Sequence, residues 1–275
     1  MKLVSRVERS LLVDRLQKAG CVFAVDEVRL LVTTARTITE LEVMVEAREA
    51  GRPLEHILGW AEFRGLHVRV DPGIFVPRRR TEFLVRQALT RCHSGTVVVD
   101  LCCGSGAVGA AVAAAVPLAD VFAADIDPAA VRCARRNLDP VKVFEGDLFE
   151  ALPTTLRGHV DVLVVNAPYV PTARIELMPP EARLHEARVA LDGGADGLDV
   201  QRRVVAESPL WLAPGGHLLI ETSTEQAPHT AELLIESGLT CQVAHSHRRN
   251  ATVVVGTSPE SSLPESSLPE SSLPG

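Results

Sequence analysis

Val160-Asp161-Val162-Leu163-Val164-Val165-Asn166-Ala167-Pro168-Tyr169 is the stretch from which this chain is best read. Its first six residues are an apolar, β-branched run of strand length. Such a run, buried on both faces, suits a central parallel strand. At its carboxyl end come one uncharged amide, a proline and the only tyrosine in the chain. In open α/β sheets ligands bind beyond that end of the strands. A side-chain amide offers an acceptor and two donors without a charge, proline stiffens the turn, and the ring is a flat apolar wall. Taken alone, the tetrapeptide also reads as an ordinary strand-to-loop turn, where Asn and Pro are common.

The flanking sequence supplies the rest of a sheet. Upstream, Val97-Val98-Val99-Asp100-Leu101 reads as a buried strand, Cys102-Cys103-Gly104-Ser105-Gly106 as a small-residue turn, and Ala107 to Val116 as a buried helix. Val121-Phe122-Ala123-Ala124-Asp125 is a second strand ending in an acid. Asp127-Pro128 starts a helix, with the acid as cap and proline at the first position. Val141-Lys142-Val143-Phe144 is a third strand, closed by Glu145-Gly146-Asp147. Downstream, a long connection carries Glu181, His185 and Glu186, then Leu191-Asp192-Gly193-Gly194-Ala195-Asp196-Gly197. A helix through Trp211, Pro214-Gly215-Gly216, the strand 217–221 and a helix near 225–237 follow. Two last strands, near 239–244 and 251–256, can pair antiparallel. Strands alternating with helices predict an α/β, doubly wound, mostly parallel sheet with its last strand antiparallel.

Ahead of the sheet, Val4, Val7, Leu11, Leu12 and Leu16 recur at helical spacing, and Gly20 ends the run. Asp26 is expected to cap a second helix, and Thr39-Glu40-Leu41-Glu42 to form a capping box for a third. Residues 1–59 are therefore expected to be a small helical domain, with two roles open to it: packing against the sheet domain, or substrate recognition as an N-terminal helical substrate-recognition domain. Residues 60–90 read as a β-hairpin, turning at Gly65, plus a linker helix. Residues 91–257 form the sheet domain. The tail 258–275, Pro-Glu-Ser-Ser-Leu repeated three times, is low in complexity and expected to be disordered.

Composition narrows the function classes. The mix of 46% hydrophobic and 23% charged residues is that of a soluble globular protein, and no apolar run is long enough to span a bilayer. No signal peptide is read at Met1-Lys2-Leu3-Val4. The six cysteines, Cys21, Cys92, Cys102, Cys103, Cys133 and Cys241, include no C-x-x-C pair. They are read as reduced thiols in a cytoplasmic protein without a metal site. Net charge is −7, distributed as +3 over residues 1–90 and −10 over residues 91–275. An acidic main domain disfavours non-specific nucleic-acid binding. His185 beside Glu186 and the pair Cys102-Cys103 are read as structural.

An acid at the end of a second strand is the usual partner of ribose hydroxyls. Asp125 fits, 25 residues after Asp100. A dinucleotide site wants G-x-G-x-x-G and a P-loop wants its lysine, and this turn has neither. A nucleoside ligand without a pyrophosphate fits better, which points to S-adenosylmethionine.

Here the sequence resembles the glutamine methyltransferases that act on peptide-chain release factors, the PrmC/HemK group. The resemblance runs from about Arg52 to Gly256 and weakly through the N-terminal helices. It rests on Arg52-Pro53, Leu58-Gly59, Glu62-Phe63 and Gly65 before and in the hairpin. Val76-Pro77-Arg78 with Thr81-Glu82 matches P-R-P-E-T-E, and Asp100-Leu101 with Gly104-Ser105-Gly106 matches D-L-G-T-G-S-G. Asn166-Ala167-Pro168-Tyr169 matches N-P-P-Y, the least specific of these on its own. Gly193-Gly194, Asp196-Gly197-Leu198 and Pro214-Gly215-Gly216 also match. The resemblance implies a class I S-adenosylmethionine-dependent, Rossmann-like methyltransferase acting on a protein glutamine, with a release factor or related protein as partner. It implies a cofactor site at Cys102, Cys103, Gly104, Ser105, Gly106, Asp125, Asp147, Leu148, Asn166 and Phe75. Asn166, Pro168 and Tyr169 are the implied catalytic residues, and Asn166, Ala167, Pro168 and Tyr169 the substrate site.

This chain departs from the family pattern at Cys102, which stands for a glycine, at Ala167, which stands for a proline, and at Arg79-Arg80, which stand for Pro-Glu. The first two positions are used through backbone; the third changes charge at the mouth of the site. The implied chemistry is direct displacement on an electrophilic methyl by an amide nitrogen, with the Asn166 oxygen and the carbonyl of residue 167 each accepting one N–H. Two other readings stand beside it. One is the same cofactor with a small-molecule amine or amide, or a nucleobase amino group, as acceptor. The other is a cofactor-binding protein without catalysis.

Overall fold

The computed structural model describes residues 4–260. Four helices come first: α1 (Arg6–Lys18), α2 (Ala24–Thr34), α3 (Ile38–Glu49) and the short α4 (Leu54–Leu58). Their shared core includes Leu12, Leu16, Leu31 and Val45. Val7 and Leu11, expected on the apolar stripe of α1, are exposed, because only one face of that helix meets α2 and α3. The caps differ from expectation. Ser5 and Glu8 form a capping box on α1. Asp26 lies inside the first turn of α2, whose cap residue is Phe23. Thr37 rather than Thr39 caps α3, its hydroxyl accepting the Glu40 N–H at 3.0 Å.

The hairpin is β1 (Trp60–Phe63) and β2 (Leu66–Arg69), antiparallel and paired from Trp60–Arg69 to Phe63–Leu66. Next, α5 (Glu82–Leu89) packs Phe83, Leu84, Val85 and Ala88 onto the main sheet. The helix read as part of a linker thus shares the core of the sheet.

That sheet contains β3 (Val97–Leu101), β4 (Asp120–Asp125), β5 (Val143–Glu145), β6 (Val160–Val165), β7 (Leu212–Thr222), β8 (Thr240–Ser246) and β9 (Ala251–Thr257). Its order is β5-β4-β3-β6-β7-β9-β8. All pairings from β5 to β7 are parallel; β9 is antiparallel to both β7 and β8, between which it is inserted. The chain starts in the middle, builds outward through β4 and β5, then returns to place β6 on the other side of β3. The switch point therefore lies between β3 and β6, where the carboxyl ends of strands leave a crevice.

Why these strands are central follows from their side chains. Leu163 and Val165 enter one core with Leu101, Leu218, Ile220 and Trp211. Val162 and Val164 enter the opposite core with Val98, Leu219, Val253 and α5. With period-two geometry, a strand apolar at every position buries both faces. Fully burying each such side chain stabilises by roughly 1.5–3 kcal/mol.

The crossover helices α6 (Ala107–Ala115), α7 (Pro128–Ala134), α8 (Pro180–His185), α9 (Asp199–Glu207) and α10 (Ala227–Glu236) complete the fold. Asp127 caps α7 as expected, accepting the Ala129 N–H at 2.8 Å. The beginning of the tail is tied down: Ser258 N–H donates to the Gly216 carbonyl, and Gly215 N–H to that of Pro259. The repeats beyond, 261–275, lie outside the described residues, and so does the expectation of disorder there. Among the described residues, no helix is long and apolar enough to cross a membrane.

Candidate functional site

A cleft of about 700 Å³ opens at the switch point. It is lined by every residue expected to bind cofactor except Gly106, together with all of Asn166-Ala167-Pro168-Tyr169. Gly106 stands directly behind the lining, as the residue preceding α6.

The turn after β3 is fastened to β4. The Cys103 N–H donates to the Ala124 carbonyl at 3.1 Å, and the Gly104 N–H to Asp125 Oδ2 at 2.8 Å. Asp125 Oδ1 accepts the Asp127 N–H at 2.9 Å. Burial pushes the Asp125 carboxyl up, while these two N–H groups pull it back down. A carboxylate oxygen has two lone-pair sites, so each retains one for a ligand hydroxyl. Asp100, on β3 itself, is 2% exposed and accepts the Gly109 N–H at 2.8 Å; burial pushes its carboxyl up to about 8. Cys102 has φ 59°, a left-handed backbone that favours glycine. Burial pushes both the Cys102 and Cys103 thiols up, so neither is an activated nucleophile.

At the third strand's end Asp147 Oδ2 accepts Arg203 at 2.8 Å. Its other oxygen remains for a ligand, beside buried Leu148. Phe75 lies at the mouth under the Arg78 guanidinium, 5.0 Å from the ring centre. Arg78 in turn pairs with Glu186, which also accepts the Val76 N–H. Glu186 is thus a structural partner, 7% exposed, and it joins the distant loop to the cleft mouth.

Asn166-Ala167-Pro168-Tyr169 is held from behind. The Val170 N–H donates to the Leu191 carbonyl at 3.1 Å, and the Gly193 N–H to the Val170 carbonyl at 2.9 Å. Gln226 Nε2 donates to the carbonyls of Tyr169 and Asp196, both at 3.0 Å. The glycines of 193–197 permit this approach: a Cβ on Gly193 would stand 2.7 Å from the Pro168 oxygen, and one on Gly197 2.3 Å from the Tyr169 oxygen. Among the described residues no protein group engages the Asn166 side chain or the Ala167 carbonyl, so both are available to a ligand.

Sequence reading missed Arg203, Gln226 and the buried Glu221. Only the glycine pattern signalled the loop that braces the tetrapeptide. Among the described residues, no group of three or more His, Cys, Asp or Glu side chains is placed to hold a metal.

A mostly parallel sheet with one antiparallel strand inserted near its edge, carrying this cleft, defines an S-adenosylmethionine-dependent class I methyltransferase. The Methyltransferase small domain family model matches residues 65–250. The release factor glutamine methyltransferase of Geobacter sulfurreducens is 40% identical over 199 residues, covering 71% of this chain and 69% of its own length. That of Gloeobacter violaceus is 41% identical over 194 residues, covering 68% and 67%. In fold, the chain is similar to a methyltransferase from Pyrococcus furiosus, with TM-score 0.57 and 16% identity over 78% of this chain and 99% of that one. The chain belongs to the release factor glutamine methyltransferase family.

The cleft suits its cofactor by chemistry. Asp125 supplies acceptors for a diol, and Asp147 an acceptor farther out. A Cβ on Gly104 would meet no protein atom within 4 Å, so the space beside that backbone is open to a ligand.

Proposed function

We propose that this chain methylates the side-chain amide nitrogen of a glutamine in a peptide-chain release factor. The observation that carries this reading is the pair of unspent acceptors, Asn166 Oδ1 and the Ala167 carbonyl, at the switch point beside the Asp125 pocket.

Asp125, its carboxylate aimed by the Gly104 and Asp127 N–H groups, would accept from the ribose hydroxyls of the cofactor. Asp147, Leu148 and Phe75 line the same cleft and would hold the rest of the nucleoside. When bound, S-adenosylmethionine supplies an electrophilic methyl on a sulfonium. An amide nitrogen is a poor nucleophile because its lone pair is delocalised. Asn166 Oδ1 takes one of its N–H groups and the Ala167 carbonyl the other, which aims the lone pair into the cleft. Orientation of this kind is worth on the order of 7–11 kcal/mol at best. Pro168 fixes the turn, and Tyr169 forms the wall along the aliphatic part of the glutamine. No general base is required before attack, because the nitrogen becomes acidic only once methylated. Ala167 serves as well as proline would, since only its carbonyl acts. The N-terminal helical unit belongs to acceptor recognition; Arg48 ties it to Glu181 of α8, in the connection that follows the tetrapeptide. A cytoplasmic reaction on a protein, rather than on nucleic acid, suits the acidic sheet domain.

The test is incubation with labelled cofactor and a release factor, with the methyl located by mass spectrometry. Methyl on a glutamine side chain is expected. Asn166→Ala should lose about 100-fold in turnover while cofactor affinity stays within about threefold. Methyl on any other acceptor, or an unimpaired Asn166→Ala, would sink the reading.

A further inference from the structure

Six arginines gather beside the acceptor half of the cleft. Arg79 and Arg80 stand just before α5, Arg86 one turn inside it, Arg64 at the tip of the β1–β2 hairpin, and Arg248 and Arg249 in the turn between β8 and β9. Glu82, the first residue of α5, is their hub: Arg249 pairs with its carboxylate, and Arg64 Nη1 donates to its carbonyl at 3.4 Å. Arg80 pairs with buried Glu221 and lies 5.7 Å from the centre of the Tyr169 ring, so the group is continuous with the acceptor wall. Arg64, Arg79, Arg86 and Arg248 are exposed and meet no carboxylate among the described residues. The hairpin's own acid, Glu62, stands opposite His67. The other arginines of the cleft lining are matched: Arg78 to Glu186, Arg188 to Asp192 and Arg203 to Asp147.

Nothing in the fold itself calls for this excess. Cations at the positive end of a helix cost stability, and that is where Arg79 stands. The family stretch carries Pro-Glu where this chain has Arg79-Arg80, so the difference is this chain's own. A surface of one sign beside a binding cleft speeds the encounter with an oppositely charged partner and fixes its register, without touching the chemical step. The patch is local. Residues 91–275 as a whole carry −10, which repels a long polyanion such as a nucleic-acid duplex. A short acidic segment of a protein fits. We propose that this arginine face docks an acidic segment of the acceptor protein, close in space to the glutamine that enters past Tyr169. This rests on the acceptor reading above and adds how the chain holds the protein that carries the glutamine.

The experiment compares the full chain with the double variant Arg79→Glu, Arg248→Glu, both positions being exposed and unpaired. Binding of a release factor is read by calorimetry with S-adenosylhomocysteine present, so that no methyl is transferred. At roughly 0.1 M salt, where the Debye length is about 10 Å, the variant should bind about tenfold more weakly than wild type. At roughly 1 M, where that length is about 3 Å, the two should agree within about twofold. The acceptor KM should follow the same pattern, with cofactor affinity equal in both proteins. Equal binding at low salt, or a loss that persists at high salt, would overturn the docking surface, as would a wild type that does not bind the release factor. A labelled single-stranded RNA that binds wild type and not the variant, with release-factor affinity unchanged, would assign the face to nucleic acid instead. Should the double variant not fold, Arg79→Gln with Arg248→Gln replaces it, with about a threefold loss expected. A release factor that binds in this salt-dependent way yet stays unmethylated removes the acceptor reading and leaves the docking surface standing. One that both proteins bind and methylate equally at low salt does the reverse.

Discussion

At Cys102 a side chain occupies a left-handed backbone, φ 59°, at the point where the chain turns from β3 toward the cofactor. That conformation costs an L-residue roughly 1–2 kcal/mol. Cys102→Gly should therefore be tolerated, relief of strain offsetting the loss of thiol packing. Cys102→Val, branched at Cβ, should lower stability by roughly 1–3 kcal/mol in denaturant unfolding. A neutral valine variant would show that the turn is not strained. Asp100 gives a pH signature. Its folded carboxyl is pushed up to about 8, whereas unfolded aspartate titrates near 3.9. Between those values the folded state holds more protons than the unfolded one, so stability falls as pH rises through the window. The slope from this group is at most about 1.4 kcal/mol per pH unit. Asp100→Asn keeps an acceptor for the Gly109 N–H and should flatten the melting profile between pH 5 and pH 7. An unchanged slope would mean that Asp100 is charged in the fold.

Among the elements, the tetrapeptide depends on a loop 24 and more residues downstream. Gly194 and Gly197 have φ 89° and 81°, and the loop presses its backbone against Tyr169 and Gln226. A methyl at 197 would collide with the Tyr169 carbonyl and Gln226 Nε2, at 2.3 and 2.4 Å. Gly197→Ala should displace Tyr169 and cut turnover with little change in cofactor affinity, since Asp125 and the turn after β3 stand on other strands. A calorimetric titration beside a turnover assay reads both. Equal loss of binding and turnover would mean that the loop supports the whole cleft rather than its acceptor half.

Across the whole molecule, one buried arginine joins the helical unit to the sheet domain. Arg48 on α3 bonds Glu27 of α2 at 2.6 Å and the Arg52 carbonyl at 2.9 Å. It also reaches Glu181 of α8 at 2.5 Å. Removing one partner of a buried pair leaves an uncompensated charge and costs roughly 3–5 kcal/mol. Arg48→Ala should therefore destabilise by that order and raise amide exchange in both α2 and α8. Exchange confined to α2 would show that the contact with Glu181 contributes nothing.

The sequence by itself determined the sheet and the identity of its chemical groups. Strands apolar at every position, as in Val162 to Val165, suit burial on both faces, and an acid 25 residues after Asp100 fits the end of the next strand in such a unit. The helix caps were read less well, at Asp26 and Thr39, because several neighbouring residues can cap and packing selects one. The tertiary structure alone decided that β9 enters between β7 and β8, that the helix at 82–89 joins the sheet core, and that Arg80 meets Glu221 and Tyr169. Those partners are separated by as many as 141 positions in the chain. Local spacing records which face a residue takes, but a contact between distant segments exists only once the shared core has brought their strands and loops together.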